Sequence, residues 1–215
     1  MLAHQTMTEL ILIRHGETDW NVEHRIQGHL DIPLNEAGLA QADAIGERFR
    51  GEKVDVLISS DLCRAMQTVN PIANVCGLPV LRDVRLRERH LGVLQGKTTE
   101  QAQQLAPTAF EVFRSRATDA ALEGGESLAE FAQRVINTLT ELAQTYRNKR
   151  IVAVTHGGVV DVAYRHANNT PLDAPRLFPI HNASVNTLRA SASGFELVSW
   201  SDISHLPDQE ALDEL

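Results

Sequence analysis

The sequence predicts an α/β protein: a three-layer α/β/α sandwich with a mostly parallel central sheet, an antiparallel edge strand and a helical lid insertion. Three observations predict it. Short β-branched runs without polar alternation recur at residues 9–13, 54–58 and 151–155 (ELILI, VDVLI, IVAVT), the pattern of strands covered on both faces. Amphipathic helical stretches separate these runs, the alternation that builds a parallel sheet between two helical layers. An irregular stretch rich in Gly, Pro, Gln and Thr covers residues 83–126, as expected of an insertion over one end of the sheet.

The elements follow in order. After the first strand and Asn35, the residues Leu39, Ala42, Ile45 and Phe49 recur at helical spacing and give a first amphipathic helix. A second helix is expected over about 61–76, kinked at Pro71. The best-marked helix starts at Ser127, where Ser127 and Glu130 have capping-box spacing and Leu128, Phe131, Val135, Leu139, Leu142 and Tyr146 form an apolar stripe. Near the end, SVNTLRASASGFELVSW (184–200) reads as two strands joined by a Ser/Gly turn.

Composition bounds the rest. With 215 residues, 43% hydrophobic and 22% charged, the chain can fill a core as one domain over 1–215. The lid insertion is placed at about 85–126, and an acidic C-terminal tail at about 202–215 reads as loosely ordered, with no function assigned. The opening MLAHQTMTEL lacks a basic start and an apolar stretch, and no apolar run reaches the length of a membrane span. The expected location is the cytoplasm, with no membrane partner. A net charge of −8 argues against a general nucleic-acid binder, so an anionic ligand would need a local cationic cluster. Cys63 and Cys76 fall on one predicted helix, about 20 Å apart at roughly 1.5 Å per residue, too far for a disulfide.

Such a cluster lies at the strand ends, where open α/β sheets bind ligands. The first run is followed by Arg14, His15 and Gly16, the second by Ser59, Ser60 and then Arg64, the third by His156, Gly157 and Gly158. Two arginines, two histidines and close-packing glycines suit a phosphate dianion. An imidazole nitrogen among them can attack phosphorus in line and carry the phosphoryl group. Glu88, in RLRERHLG within the irregular region, is the candidate proton donor for the leaving alkoxide.

Taken singly, each signal also has a bland explanation. An Arg-His pair after a strand is commonly a surface turn, Arg64 a solvated helix residue, and Cys63 packing material. Rival chemistries lack their signatures: there is no HExxH or PCxxC for a metal, no GxSxG elbow, and GVLQGKT has three residues between its glycines where a phosphate-binding loop needs four. Other histidines, including His4, His24, His29, His166 and His205, read as solvated.

Taken together, LIRHGETDWN, SSDLCRAMQT, LRERHLGVLQG, GGES and VTHGG, in that order over about residues 9–200, resemble the signatures of the histidine phosphatase superfamily, phosphoglycerate-mutase-like branch. The resemblance implies that His15 is the phosphorylated nucleophile, that Arg14, Arg64 and His156 complete the phosphate pocket, and that Glu88 gives and takes the proton. It also implies that Asn21, Gln27 and Gly28 border the substrate, with Ser59, Gly157 and Asn182 beside it, that no metal or other cofactor is needed, and that the partner is a small phosphomonoester. To attack, His15 must be neutral at one ring nitrogen, and a backbone carbonyl near Gly16 is the expected partner of the other.

The family contains both mutases and phosphatases. Leu91 stands where mutases typically show tyrosine, Thr99 where they place a substrate-binding lysine, and Arg114 and Arg116 are separated where mutases pair two arginines. GGES and NASVNTL (182–188) resemble the phosphatase branch. The expected function is therefore metal-independent phosphomonoester hydrolysis through phosphohistidine. A phosphoglycerate mutase and a non-catalytic phosphate-binding module are the alternatives, and monomer and homodimer stay equally open.

Overall fold

A computed structural model describes residues 7–207 and 211–213. Its frame is one six-stranded sheet: β1 (Thr8–Arg14), β2 (Val56–Ser59), β3 (Val80–Arg82), β4 (Arg150–Thr155), β5 (Val185–Ser191) and β6 (Gly194–Asp202), in the spatial order β3-β2-β4-β1-β5-β6. The first four strands are parallel, and β5 runs antiparallel to both β1 and β6. The expected antiparallel edge is the β5–β6 hairpin, with β6 outermost. Strand β3 went unpredicted: it is three residues long and half exposed, and so carries little apolar signal.

Helices cover both faces. Ile11 and Ile13 pack on one face with α2 (Glu36–Arg48) and α3 (Cys63–Cys76), whereas Leu10 and Leu12 pack on the other with α6 (Leu128–Thr145) and α7 (Gly157–Ala167). This alternation explains the polar-free strand run: every residue of β1 from Leu10 to Ile13 faces a helical layer. Asn35 caps α2 through Gly38 N–H, and Ser127 and Glu130 close the capping box of α6 as the spacing predicts. Helix α3 continues through Pro71, which packs on Gly46 of α2; a Cβ there would lie 2.7 Å from the proline ring.

Between β1 and α2 lies the single-turn α1 (Asp19–Val22), capped by Thr18. The irregular stretch contains α4 (Thr99–Leu105) and α5 (Pro107–Arg114) and gathers a small core of its own around Leu91, Leu94, Ala102 and Leu122, closed by Ile26. Among the described residues no helix is long and apolar enough to cross a membrane.

The expectation of a loose tail from residue 202 does not hold for its described part. Asp202 belongs to β6 and pairs with Arg48 at 2.5 Å, and Leu206 is buried in the core beside α2. Residues 211–213 lie against the sheet end. The acidic composition concealed this because the anchors are the buried Leu206, the carboxylates of Asp202 and Asp213 paired with Arg48 and Arg176, and main-chain groups.

Candidate functional site

The carboxyl ends of β1, β2 and β4 converge on a cavity of about 450 Å³. Its deep end is set by His15, which follows β1. The chain turns there at Gly16, where a Cβ would come within 2.6 Å of the Gly38 carbonyl oxygen, so α2 abuts the turn directly. Thr68 of α3 fixes the same turn, accepting from Gly16 N–H at 3.0 Å while donating to the Arg64 carbonyl.

His15 Nδ1 lies 2.7 Å from the Gly16 carbonyl oxygen. A carbonyl can only accept, so Nδ1 carries the hydrogen and Nε2 keeps its lone pair. Burial, reinforced by the Arg64 and Arg14 charges, holds this imidazole well below the ordinary histidine pKa and therefore neutral at pH 7. The His156 ring stands edge-on, its centroid 5.3 Å from that of His15, with Nε2 at 2.8 Å from Ser60 Oγ. His156 is completely buried, its Nδ1 has no hydrogen-bond partner among the described residues, and burial and Arg64 also keep it neutral.

Arg64, in the first turn of α3, is fully buried and donates to the Gly28 and Leu30 carbonyls at 2.8 and 2.9 Å. It thereby anchors the 27–30 loop as well as presenting charge to the cavity. Arg14 is buried behind His15, donating from Nη1 to the Ile180 carbonyl at 2.5 Å and to the Leu212 carbonyl at 3.2 Å.

Glu88 reaches the cavity from the irregular region. Its Oε1 accepts from Arg89 N–H at 2.7 Å and its Oε2 from Gly158 N–H at 2.9 Å. The second donor belongs to the start of α7, where backbone N–H groups point out of the helix. A Cβ on Gly158 would fall 2.1 Å from Glu88 Oε1. The Glu88 carbonyl is itself held by His29 Nε2 at 2.7 Å and by Arg134.

Most residues expected at the site are gathered here: His15, Arg64, Glu88, Asn21, Gln27 and Gly28 line the cavity. Arg14, His156, Gly157 and Asn182 form the layer behind it. Asn182 Nδ2 donates to the His15 carbonyl at 3.1 Å and to the Gly16 carbonyl at 3.3 Å, so its side chain braces the turn from behind the His15 ring. Ser59 is displaced from its expected place. It is buried, with its hydroxyl turned onto the Ser60 carbonyl, and Ser60 is the serine that meets His156. His29 and His205 are not simply solvated: one holds Glu88, and the other is partly buried beside Arg48. His4 lies outside the described residues.

Sequence reasoning missed the outer wall. Trp20, Phe113, Phe131 and Pro175 supply apolar surface, while Arg25, Arg89 and Arg176 add charge. Arg114 and Arg116, although separated in sequence, both reach this wall. Arg116 adopts a left-handed backbone (φ 55°) and pairs with Asp161 of α7 at 2.6 Å. Arg89 is buried against the Glu126 carbonyl, and burial brings its pKa down to about 10. From α7, Gly158 and Asp161, three positions apart on one helix face, also line the cavity. Among the described residues no cluster of His, Cys, Asp and Glu could hold a metal ion.

Comparison with known proteins identifies the family and the fold. The model of the histidine phosphatase superfamily (branch 1) matches residues 10–203. "Phosphoglycerate mutase-like protein 4" of Arabidopsis thaliana is 42% identical over 93% of this chain and 87% of its own length. "Metal-independent phosphoserine phosphatase" of the same plant is 40% identical over 93% of this chain and 84% of its own. A solved mycobacterial glucosyl-3-phosphoglycerate phosphatase in complex with VO3 superposes with a TM-score of 0.79 at 36% identity, over 90% of this chain and 98% of that one.

Proposed function

The chain belongs to the histidine phosphatase superfamily, branch 1, and from that premise we propose that it is a metal-independent phosphomonoester hydrolase that works through a phosphohistidine at His15. The observation that carries the reading is the fixed tautomer. With its hydrogen on Nδ1 and directed at the Gly16 carbonyl, His15 presents an Nε2 lone pair in a cavity lined by the Arg64 guanidinium. The substrate is a small phosphorylated metabolite of the cytoplasm.

Arg14, Arg64 and His156 receive the phosphoryl oxygens, and Nε2 of His15 attacks phosphorus as the bond to the ester oxygen breaks. Glu88, entering as the acid, gives its proton to the departing alkoxide. As a carboxylate it then takes a proton from water, which attacks the phosphohistidine and releases phosphate and neutral His15. Asn21, Gln27 and Gly28 border the substrate, while Gly157, Asn182 and Ser59 support the site from behind.

The test is to quench turnover of a phosphate-labelled ester under alkaline conditions and look for label on the protein. Label on wild-type protein and none on His15→Ala is expected, with phosphate release unaffected by a chelator. Release that a chelator abolishes and a divalent ion restores would sink the metal-free mechanism. One observation favours a second reading, return of the phosphoryl group to a sugar acid: Arg114 and Arg116 both reach the cavity wall. Fast interconversion of phosphoglycerate isomers primed by a bisphosphoglycerate, with little hydrolysis, would select it.

A further inference from the structure

Residues 212 and 213 lie about 200 positions from the nucleophile in sequence yet meet it from behind. The Leu212 carbonyl accepts from Arg14 Nη1 at 3.2 Å and from Asn182 N–H at 2.8 Å. Asn182 in turn donates its side chain to the His15 and Gly16 carbonyls. One Asp213 oxygen, Oδ1, accepts from Ile180 N–H at 2.7 Å and from Arg176 Nη1 at 2.9 Å. The fully buried Ile180 presents its carbonyl to Arg14 Nη1, and Arg176 lines the cavity.

Two consecutive residues therefore close a circuit. The carbonyl of one and the carboxylate of the next each hold a chain segment that touches Arg14, and the carboxylate also tethers a cavity-wall cation. A buried guanidinium has five donors in a fixed fork, so its orientation is set by where its acceptors stand. Among those acceptors are a tail carbonyl, that of Leu212, and the Ile180 carbonyl, whose residue is itself held by the tail.

Resting on the phosphohydrolase reading above, we propose that Asp213 is a positioning residue for the reaction. It acts through two separate routes: Ile180, which orients Arg14 behind the phosphoryl site, and Arg176, which shapes the outer wall for the rest of the substrate.

The two routes make different demands on the side chain. Ile180 needs only an acceptor, which an asparagine amide oxygen supplies. Arg176 needs the negative charge, because an amide would keep a hydrogen bond to the guanidinium but lose the attraction between opposite charges.

The experiment compares full-length wild type, Asp213→Ala and Asp213→Asn by steady-state phosphate release and by calorimetric titration with inorganic phosphate. For Asp213→Ala, kcat is expected to fall about 10-fold and phosphate affinity to weaken by a similar factor. Asp213→Asn is expected to keep both within about twofold while KM for an ester with a large alcohol rises about fivefold. Combining Asp213→Asn with Arg176→Ala should add nothing further to that KM.

Wild-type kcat and phosphate affinity in folded Asp213→Ala would overturn the proposal. So would equal losses in both variants that follow their thermal midpoints, since the tail would then be only a brace for the fold. Should the wild type release phosphate from no ester, the hydrolase reading fails, while phosphate titration still reads the Arg14 route by itself.

Discussion

The inner and outer walls of the cavity differ in how uniformly they are fixed. At the inner end His15, Arg64 and His156 are at most 4% exposed and are fixed by carbonyls, a serine hydroxyl and a glycine approached by neighbouring backbone. The outer end is mixed: Arg89 is buried on the Glu126 carbonyl and Arg116 pairs with buried Asp161, whereas Arg25 pairs with half-exposed Glu23, and Arg114 with Glu111 in a pair whose members are 64% and 60% exposed. Exposed pairs of this kind hold a side chain by at most about 1 kcal/mol, so their members can leave one partner for another. The difference teaches where each part of the function resides: groups that must not move answer to the backbone, and groups that must accommodate an alcohol of variable shape answer to solvent.

Substitutions at the two walls should therefore differ in kind. The largest effect is expected at the nucleophile, where His15→Ala should lower kcat by about 10³-fold or more in steady-state assays of phosphate release. Next comes Gly158→Ala. Its methyl would have to displace the Glu88 carboxylate, and a shift of about 1 Å is expected to cost about 10²-fold in kcat, most for esters with poor leaving groups. If esters with activated leaving groups lost as much, Glu88 would not be the proton donor.

At the outer wall Arg114→Ala should alter KM by less than about 10-fold, by amounts that differ between esters, with kcat little changed. A uniform loss of kcat across a phosphomonoester panel would erase the distinction between the walls.

The smallest expected effect is on stability. Burial depresses the pKa of His15 and His156, and that of His205 to about 4, below the free value of 6.5. In this window the unfolded chain binds protons that the fold refuses. Stability is thus fully present above pH 6.5 and is lost as pH falls toward the folded values. The thermal midpoint should drop by several degrees between pH 7 and 5, and inorganic phosphate should reduce the drop, because a bound dianion favours charged imidazoles at the inner wall. A midpoint indifferent to pH over this range would mean that the inner histidines are not neutral.

The legibility of the sequence follows the same division. Strands β1, β2 and β4 were readable because burial on both faces removes polar residues from them, and Arg14, His15 and His156 were readable because they stand at the ends of such runs, whereas Arg64 and Glu88 were joined to them only through the motifs they sit in. Helices α2 and α6 declared themselves through Asn35 and Ser127. Strand β3 did not, since Leu81 and Arg82 are exposed and Val80 only half-buried.

The outer wall was illegible for a different reason. Trp20, Phe113 and Arg176 come from three segments with no common period, and they meet only at the cavity wall. Ser59 was misassigned because alternation along β2 decides which of two adjacent serines meets His156, and a strand without polar alternation does not reveal its phase. The bonds of Leu212 and Asp213 run largely through main-chain groups, which no residue type encodes.

The start of α7 is a common mount for two roles. Its flanking His156 stands against His15, and its Gly158 N–H holds the carboxylate of Glu88. A rigid helix that slides or tilts carries both attachments with it, so the distance between acid and imidazole is set like the gauge of a single tool, not adjusted at two ends. A variant that shifts α7 should consequently disturb anion affinity and leaving-group sensitivity in fixed proportion, and the two quantities should fall on one line across a series of substitutions in the helix.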